Sequence, residues 1–286
     1  MLRRWCILLA MMALTLGTVL TASSASASAL RGQTGGPEAL GGLGWPPPGT
    51  GSWVPGGPIN RGGLTFSRTS NQAESTNWSG YAATGSTYTS VSASWVQPAV
   101  TCSSGDQYSA FWVGLDGYSS STVEQTGTEA DCDGRTAQYY AWWEMYPGAS
   151  VEYSTTTYPV KAGDHFTASV TYTSPNSFTL TINDTTEPWA NPATTTQTLN
   201  GAARSSAEVI VEAPCCTLFD GILPLANFGT ASFTNSMVNG SDIGSFSPTE
   251  ITMVDILGRD KDTISTPLTP SGITGTNFSA TWKNSN

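Results

Sequence analysis

Apolar and polar residues alternate at every second position through much of the chain after residue 76. Phe166-Thr-Ala-Ser-Val-Thr-Tyr172 and Phe178-Thr-Leu-Thr-Ile182 are two such runs, joined by Ser-Pro-Asn-Ser. This pattern predicts a β-hairpin, because successive side chains of a strand point to opposite faces. Val91-Ser-Ala-Ser-Trp-Val96 reads as another strand, stopped before Pro98. Asn239-Gly240 is a second hairpin signal, and Phe278-Ser-Ala-Thr-Trp282 a closing strand. Ser and Thr fill the alternate places, as expected of solvent-facing positions. Helical periodicity and internal repeats are not evident. Many antiparallel strands with short turns predict an all-β sandwich or barrel.

The N-terminus has a different pattern. Arg3 and Arg4 precede an apolar run, Trp5–Leu20, too short for a comfortable membrane span. Thr21–Ala29 is small and polar and offers Ala25-Ser-Ala27 and Ala27-Ser-Ala29 for cleavage. Residues 1–29 therefore read as a secretory signal peptide. Residues 30–76 hold 12 Gly and 6 Pro in 47 residues, too poor in apolar side chains to bury a core. They are expected to be a disordered propeptide or linker. Residues 77–286 form the globular domain, expected to be secreted, extracellular and monomeric.

Charge narrows the partners. From residue 77 onward there are 6 Lys and Arg against 19 Asp and Glu, a formal charge of −13. So acidic a surface argues against nucleic acid and anionic membranes. It suits an acidic medium, where carboxylates that repel at neutrality are partly discharged. Beyond the signal, four cysteines remain: Cys102, Cys132, Cys215 and Cys216. The favoured pairing is Cys102–Cys132, with Cys215 and Cys216 either a vicinal bridge or two thiols. They lack paired CxxC spacing, and His165 is the single histidine, so neither a metal nor another cofactor is expected.

Three segments place polar groups on strands. In Tyr139–Tyr146, Tyr140, Trp142, Glu144 and Tyr146 share one face, and Tyr139, Ala141, Trp143 and Met145 the other. The second face can be core; the first reads as the floor of an aromatic cleft. In Glu208-Val-Ile-Val-Glu212 both acids point away from the apolar side. Val123-Glu-Gln-Thr-Gly127 adds the amide of Gln125. A carboxylate that moves a proton beside an amide that steadies an oxyanion is hydrolase chemistry.

Other hydrolytic chemistries lack their residues. His165 lies at the start of a strand and reads as a surface residue, and there is no Gly-x-Ser-x-Gly elbow. HExxH and the Asp-Thr-Gly or Asp-Ser-Gly pair of two-aspartate proteases are absent. Asp131-Cys-Asp-Gly134 lacks the later Glu of a calcium loop and reads as a tight turn.

Five segments, in order, resemble the glutamic peptidase family, the eqolisins (peptidase family G1), and point to a secreted, bacterial-type member. Asn77-Trp-Ser-Gly-Tyr81 is similar to that family's opening strand. Ala110-Phe-Trp-Val-Gly-Leu-Asp-Gly117 is similar to its Trp-Val-Gly-Ile-Asp-Gly segment, and Val123-Glu-Gln-Thr-Gly127 to its Leu-Gln-Thr-Gly. Ala141-Trp-Trp-Glu-Met-Tyr-Pro147 resembles Ala-Trp-Tyr-Glu-Trp-Tyr-Pro, and Ala207-Glu-Val-Ile-Val-Glu212 resembles Ala-Glu-Phe-Ile-Ile-Glu. Leu225-Ala-Asn-Phe-Gly229 follows. Glu124 departs from the pattern, which is apolar there.

The resemblance implies a sandwich of two antiparallel sheets, of the concanavalin A-like lectin and glucanase type. It implies an acid endopeptidase acting on proteins or peptides. Gln125 and Glu212 are then the catalytic pair, with Trp112, Asp116, Trp142, Glu144 and Glu208 lining or supporting the site. Two alternatives stay open. Glu208 and Glu212 have the spacing of a sandwich glycoside hydrolase, though with Ile210 between them, and the fold also serves non-catalytic carbohydrate binding.

Overall fold

The computed structural model describes residues 71–214, 221–266 and 275–286. The predicted signal peptide, nearly all of the Gly/Pro-rich segment, and Cys215 and Cys216 lie outside the described residues. Strands are numbered along the chain. One sheet runs, in spatial order, β1 (Gln72–Ser75), β14 (Thr249–Met253), β2 (Trp78–Thr84), β11 (Ser206–Glu212), β4 (Ala110–Leu115), β5 (Val123–Asp133), β6 (Thr136–Tyr146) and β7 (Val151–Glu152). The other runs β10 (Ala193–Thr198), β9 (Ser177–Asp184), β8 (His165–Thr173), β3 (Ser90–Val96), β12 (Thr230–Val238), β16 (Phe278–Trp282) and β15 (Asp262–Thr266). The short β13 (Ser241–Asp242) pairs with β12 through the Asn239-Gly240 turn, whose residues have φ of 49° and 78°. β1 and β14 run parallel. The runs Val91–Val96, Phe166–Tyr172, Phe178–Ile182 and Phe278–Trp282 fall on β3, β8, β9 and β16, and β8 and β9 form the expected hairpin.

β1 comes from the segment that composition assigns to a propeptide or linker. Composition places the start of the globular domain at Asn77, but Gln72–Ser75 pairs with Glu250–Met253. That contact joins residues far apart in sequence, so local composition carries no sign of it.

The two sheets bury different patterns. On the second, Phe166, Ala168, Val170, Phe178, Leu180 and Ile182 face the core, while Thr167, Thr171, Thr179 and Thr181 face outward. Thr179 and Thr196 pair across the outward face at 3.1 Å, and Thr181 and Thr194 at 3.2 Å. The first sheet is buried on both faces along β2, β4, β5 and β11. Its inner face carries Tyr81, Phe111, Val113, Leu115, Val209 and Val211 into the core between the sheets. Its outer face holds a second apolar layer of Trp78, Trp112, Trp142, Val123, Ile210 and Ile251. Trp78 and Trp112 meet edge to face, centroids 4.9 Å apart. The candidate residues sit in this outer layer.

Cys102 and Cys132 form a disulfide across a sequence separation of 30, tying the segment before β4 to the end of β5. This is the favoured pairing. Replacing both by serine is expected to lower the unfolding free energy by about 3–4 kcal/mol, the chain-entropy value for freeing a loop of this size. Denaturant unfolding of the two proteins measures it. A difference below about 1 kcal/mol would mean that other contacts already restrain the loop.

Candidate active site

Glu212 ends β11, opposite Trp78 on β2 and Ala110 on β4. Its side chain lies on the outer face and is fully buried. A buried carboxylate persists only where hydrogen-bond donors replace water. Trp112 Nε1 donates to Oε2 at 2.8 Å, and Asn77 Nδ2 donates to Oε1 at 3.2 Å. Asn77 is itself held: Ser75 Oγ donates to its Oδ1 at 2.8 Å, and its carbonyl accepts from Ala213 N at 2.8 Å. Ser75 Oγ also accepts from Trp78 N at 3.0 Å. The end of β1 therefore sets the position of a group that touches Glu212.

Two glycines make room for Trp112. A Cβ on Gly127 would come within 2.2 Å of Phe111 O and 2.6 Å of Trp112 Cβ. A Cβ on Gly114 would come within 2.8 Å of the Trp112 ring. Both lie beside Trp112 on the outer face, so the indole can lie flat enough to reach Glu212.

Gln125, on β5, is opposite Glu144 on β6 and Gly114 on β4. Its Nε2 donates to Glu144 Oε2 at 2.9 Å. Burial raises the Glu144 carboxyl to about 9, the charge of Glu212 adds to the rise, and the Gln125 bond opposes it. Glu144 is thus a neutral acid in any acidic medium, and it feels Glu212 as a neighbour. One face of the sheet carries both an amide that donates to a neutral acid, on β5, and a carboxylate held by two donors, on β11.

The remaining expected residues take other places. Asp116, at φ 71°, accepts from Arg204 N at 2.6 Å and Ser205 N at 2.8 Å, and from the hydroxyls of Ser205 and Ser120 at 3.0 Å each. It pins the loop before β11 to the loop after β4, and none of these bonds reaches Gln125 or Glu212. Trp142 is buried in the outer layer opposite Gly127. Glu208 is fully buried at the far end of the β11 row, with Ile210 between it and Glu212. Burial, then the charges of Asp116 and Glu124, push its carboxyl well above the usual range.

Three residues at or near the site are not among those expected from the sequence. Asn77 lies in one of the family segments, but nothing local marks it as a partner of Glu212. Glu129 and Asp131 share Gln125's face by simple parity along β5, and that parity is the signal that could have found them. Both are buried, at 1% and 7% exposure.

The sandwich and this site can be set beside known proteins. The Peptidase A4 family pattern matches residues 76–282. The chain belongs to the peptidase A4 family. It is 29% identical to aspergillopepsin-2 of Aspergillus niger over 216 residues, covering 68% of this chain and 74% of that protein. It is 31% identical to scytalidopepsin B of Scytalidium lignicola over 214 residues, covering 72% and 77%. The structure of scytalido-glutamic peptidase with a transition state analog inhibitor superposes with a TM-score of 0.61 at 26% identity, covering 73% of this chain and 98% of that one. Aspergilloglutamic peptidase from Aspergillus niger shares the fold, with a TM-score of 0.51 at 24% identity, covering 62% and 99%. The protein is a glutamic peptidase of the eqolisin type, with the family's β-sandwich. Membership decides among the three readings of the cleft: the enzyme is a peptidase, not a glycosidase or a sugar-binding sandwich.

The buried carboxyls predict how the fold responds to pH. Burial is the first cause of the rise at Glu124 (to about 8), Glu144 (about 9), Asp131 (about 7) and Asp262 (about 7). Each binds its proton more tightly folded than unfolded. Their contribution is fully present below the unfolded carboxyl value of about 4 and is lost as pH climbs through 7 to 9. Thermal melts should give the highest midpoint in acid and a steady fall between about pH 5 and pH 8. A midpoint that peaks at neutrality would contradict these protonation states.

Proposed function

We propose that this glutamic peptidase is a secreted acid endopeptidase that uses Glu212 as general base and acid and Gln125 as oxyanion donor. The observation that carries the reading is the contrast between the two half-sites on one buried face. Glu212 has two hydrogen-bond donors that favour its ionised form. Gln125 donates to Glu144, and an amide nitrogen with two hydrogens can donate to a substrate oxygen as well.

The chemistry follows from that arrangement. Ionised Glu212 takes a proton from a water as the oxygen attacks the peptide carbonyl. The carbonyl oxygen becomes negative and accepts a hydrogen bond from Gln125 Nε2. Glu212 then passes its proton to the amide nitrogen as the C–N bond breaks, which restores the carboxylate. Neutral Glu144 keeps the amide oriented without placing a second negative charge beside the oxyanion. Trp112, Asn77 and Glu144 are supports in this scheme. Trp142, Glu208 and Asp116 shape the face and its loops. A glutamate needs no histidine here, because its ordinary value near 4 already lies in the working range of an acid enzyme.

Glu212→Gln should lower kcat by at least about 10³-fold while leaving the circular dichroism spectrum unchanged, since it removes the one proton carrier. Gln125→Ala should lower kcat by about 10²–10³-fold with a small change in KM, the usual effect of losing one oxyanion donor. Steady-state kinetics on a short peptide at about pH 3–4 reads both. A Glu212→Gln enzyme with more than a few per cent of wild-type activity would end the assignment.

The Gly/Pro-rich segment is proposed to be a propeptide removed during maturation, since its composition cannot support a fold of its own. The pairing of Gln72–Ser75 in the sheet supports a cut at or before Gln72. N-terminal sequencing of the active secreted enzyme should find its first residue close to that point. A fully active chain beginning near Leu30 would make the segment a linker instead.

A further inference from the structure

On the outer face, one row runs across five strands: Trp78, Glu212, Ala110, Glu129 and Tyr140. Only the methyl of Ala110 separates Glu212 from Glu129 in that row. Neighbouring strands lie about 4.8 Å apart, so the two glutamate backbones are about 10 Å apart, with both side chains on one side of the sheet. Long side chains at that spacing lean toward each other over a small residue.

The two carboxyls are not equivalent. Glu212 receives an indole N–H and an amide N–H. Glu129 is 1% exposed, and neither of its oxygens has a hydrogen-bond donor among the described residues. Its neighbour on the same strand and face is Asp131, which accepts from Ser109 N at 3.2 Å and from the Tyr140 hydroxyl at 3.1 Å. A buried carboxyl with no hydrogen-bond partner among the described residues is stable only as the neutral acid. The proton belongs on Glu129, which has no donor of its own, and the negative charge belongs on Glu212.

We infer that Glu129 is a positioning residue for catalysis: as a neutral acid beside Asp131 on β5 and across Ala110 from Glu212, it lets Glu212 alone carry the charge, and its ionisation sets the upper pH limit of activity. The inference rests on the reading of Glu212 as the proton carrier. The groups acting on Glu129 agree with it. Burial is the first cause that raises its carboxyl, followed by Asp131 on its own strand, Glu212 on β11 and Glu152 on β7. From β6 it faces Tyr140, whose hydroxyl is itself pushed up by burial and these acids. β4 contributes only Ala110. No cation is among these groups, so none of the described residues that act on Glu129 favours its ionised form.

The test is the pH profile of kcat/KM for Glu129→Gln and Asp131→Asn, with circular dichroism at each pH to confine the comparison to folded enzyme. Glu129→Gln keeps a neutral group in place. It should stay within a few-fold of wild type at about pH 3–4, and its alkaline limb should move up by about one unit, as expected when a like charge beside a carboxylate is removed. Asp131→Asn removes a like charge from Glu129 and offers it an N–H donor, so Glu129 ionises earlier and the limb should move down by about one unit. Opposite shifts are the signature, because a merely structural role would move both variants the same way. An alkaline limb unmoved in both, or moved in one direction by both, overturns the inference. So does a loss above about 100-fold for Glu129→Gln at the acid optimum, which would make Glu129 a proton carrier itself. Glu212→Gln is run beside them. If it is inactive while the limbs stay unmoved, this inference alone fails; if it stays active, the catalytic pair fails.

Discussion

The indole N–H of Trp112 reaches Glu212 at 2.8 Å from two strand positions away, and much of the outer face is arranged around that bond. The ring can lie over the sheet because Gly114 and Gly127 have no side chains beneath it. Trp78 packs edge to face against it and closes the layer. The same ring buries Glu212 and supplies part of what water would otherwise provide. Without a donor, the carboxylate would be too costly to keep ionised in so dry a place.

That constraint extends to the other acids. A sheet that buries carboxyls on its outer face must hold each one by donors or leave it neutral. Asp116 is held, by two backbone N–H groups and two hydroxyls. Glu144, Glu208 and Glu129 are pushed upward and take the other course. The proposed site, one charged carboxylate among neutral ones, follows from burial together with the two donors on Glu212. Such an arrangement supports the proposed activation of water in an acidic medium.

The same physics joins stability and activity. The groups that give up protons between pH 7 and 9 include Glu144, to which Gln125 donates, and Asp131, beside Glu129 on β5. Glu124, on the inner face of β5, and Asp262, which accepts from Ser79 across the two sheets, titrate in the same range. Loss of the fold and loss of the catalytic arrangement therefore draw on one set of buried protons.

Much of this is legible in the amino-acid sequence by itself. Strand parity places Glu144 with Trp142 and Glu208 with Glu212, because a period of two needs only local sequence. The hairpins at Ser174–Ser177 and Asn239-Gly240, the Cys102–Cys132 pairing and the ordered family segments are likewise readable. Tertiary structure decides the rest. Asp116, named among the residues lining or supporting the site, joins the loop before β11 to the loop after β4. Gln72–Ser75 pairs with β14. Asn77 becomes a hydrogen-bond donor to Glu212, and Glu129 comes to face it across Ala110. Each of these depends on which strands lie side by side. That order is set by packing between residues far apart in sequence, and local alternation contains no information about it.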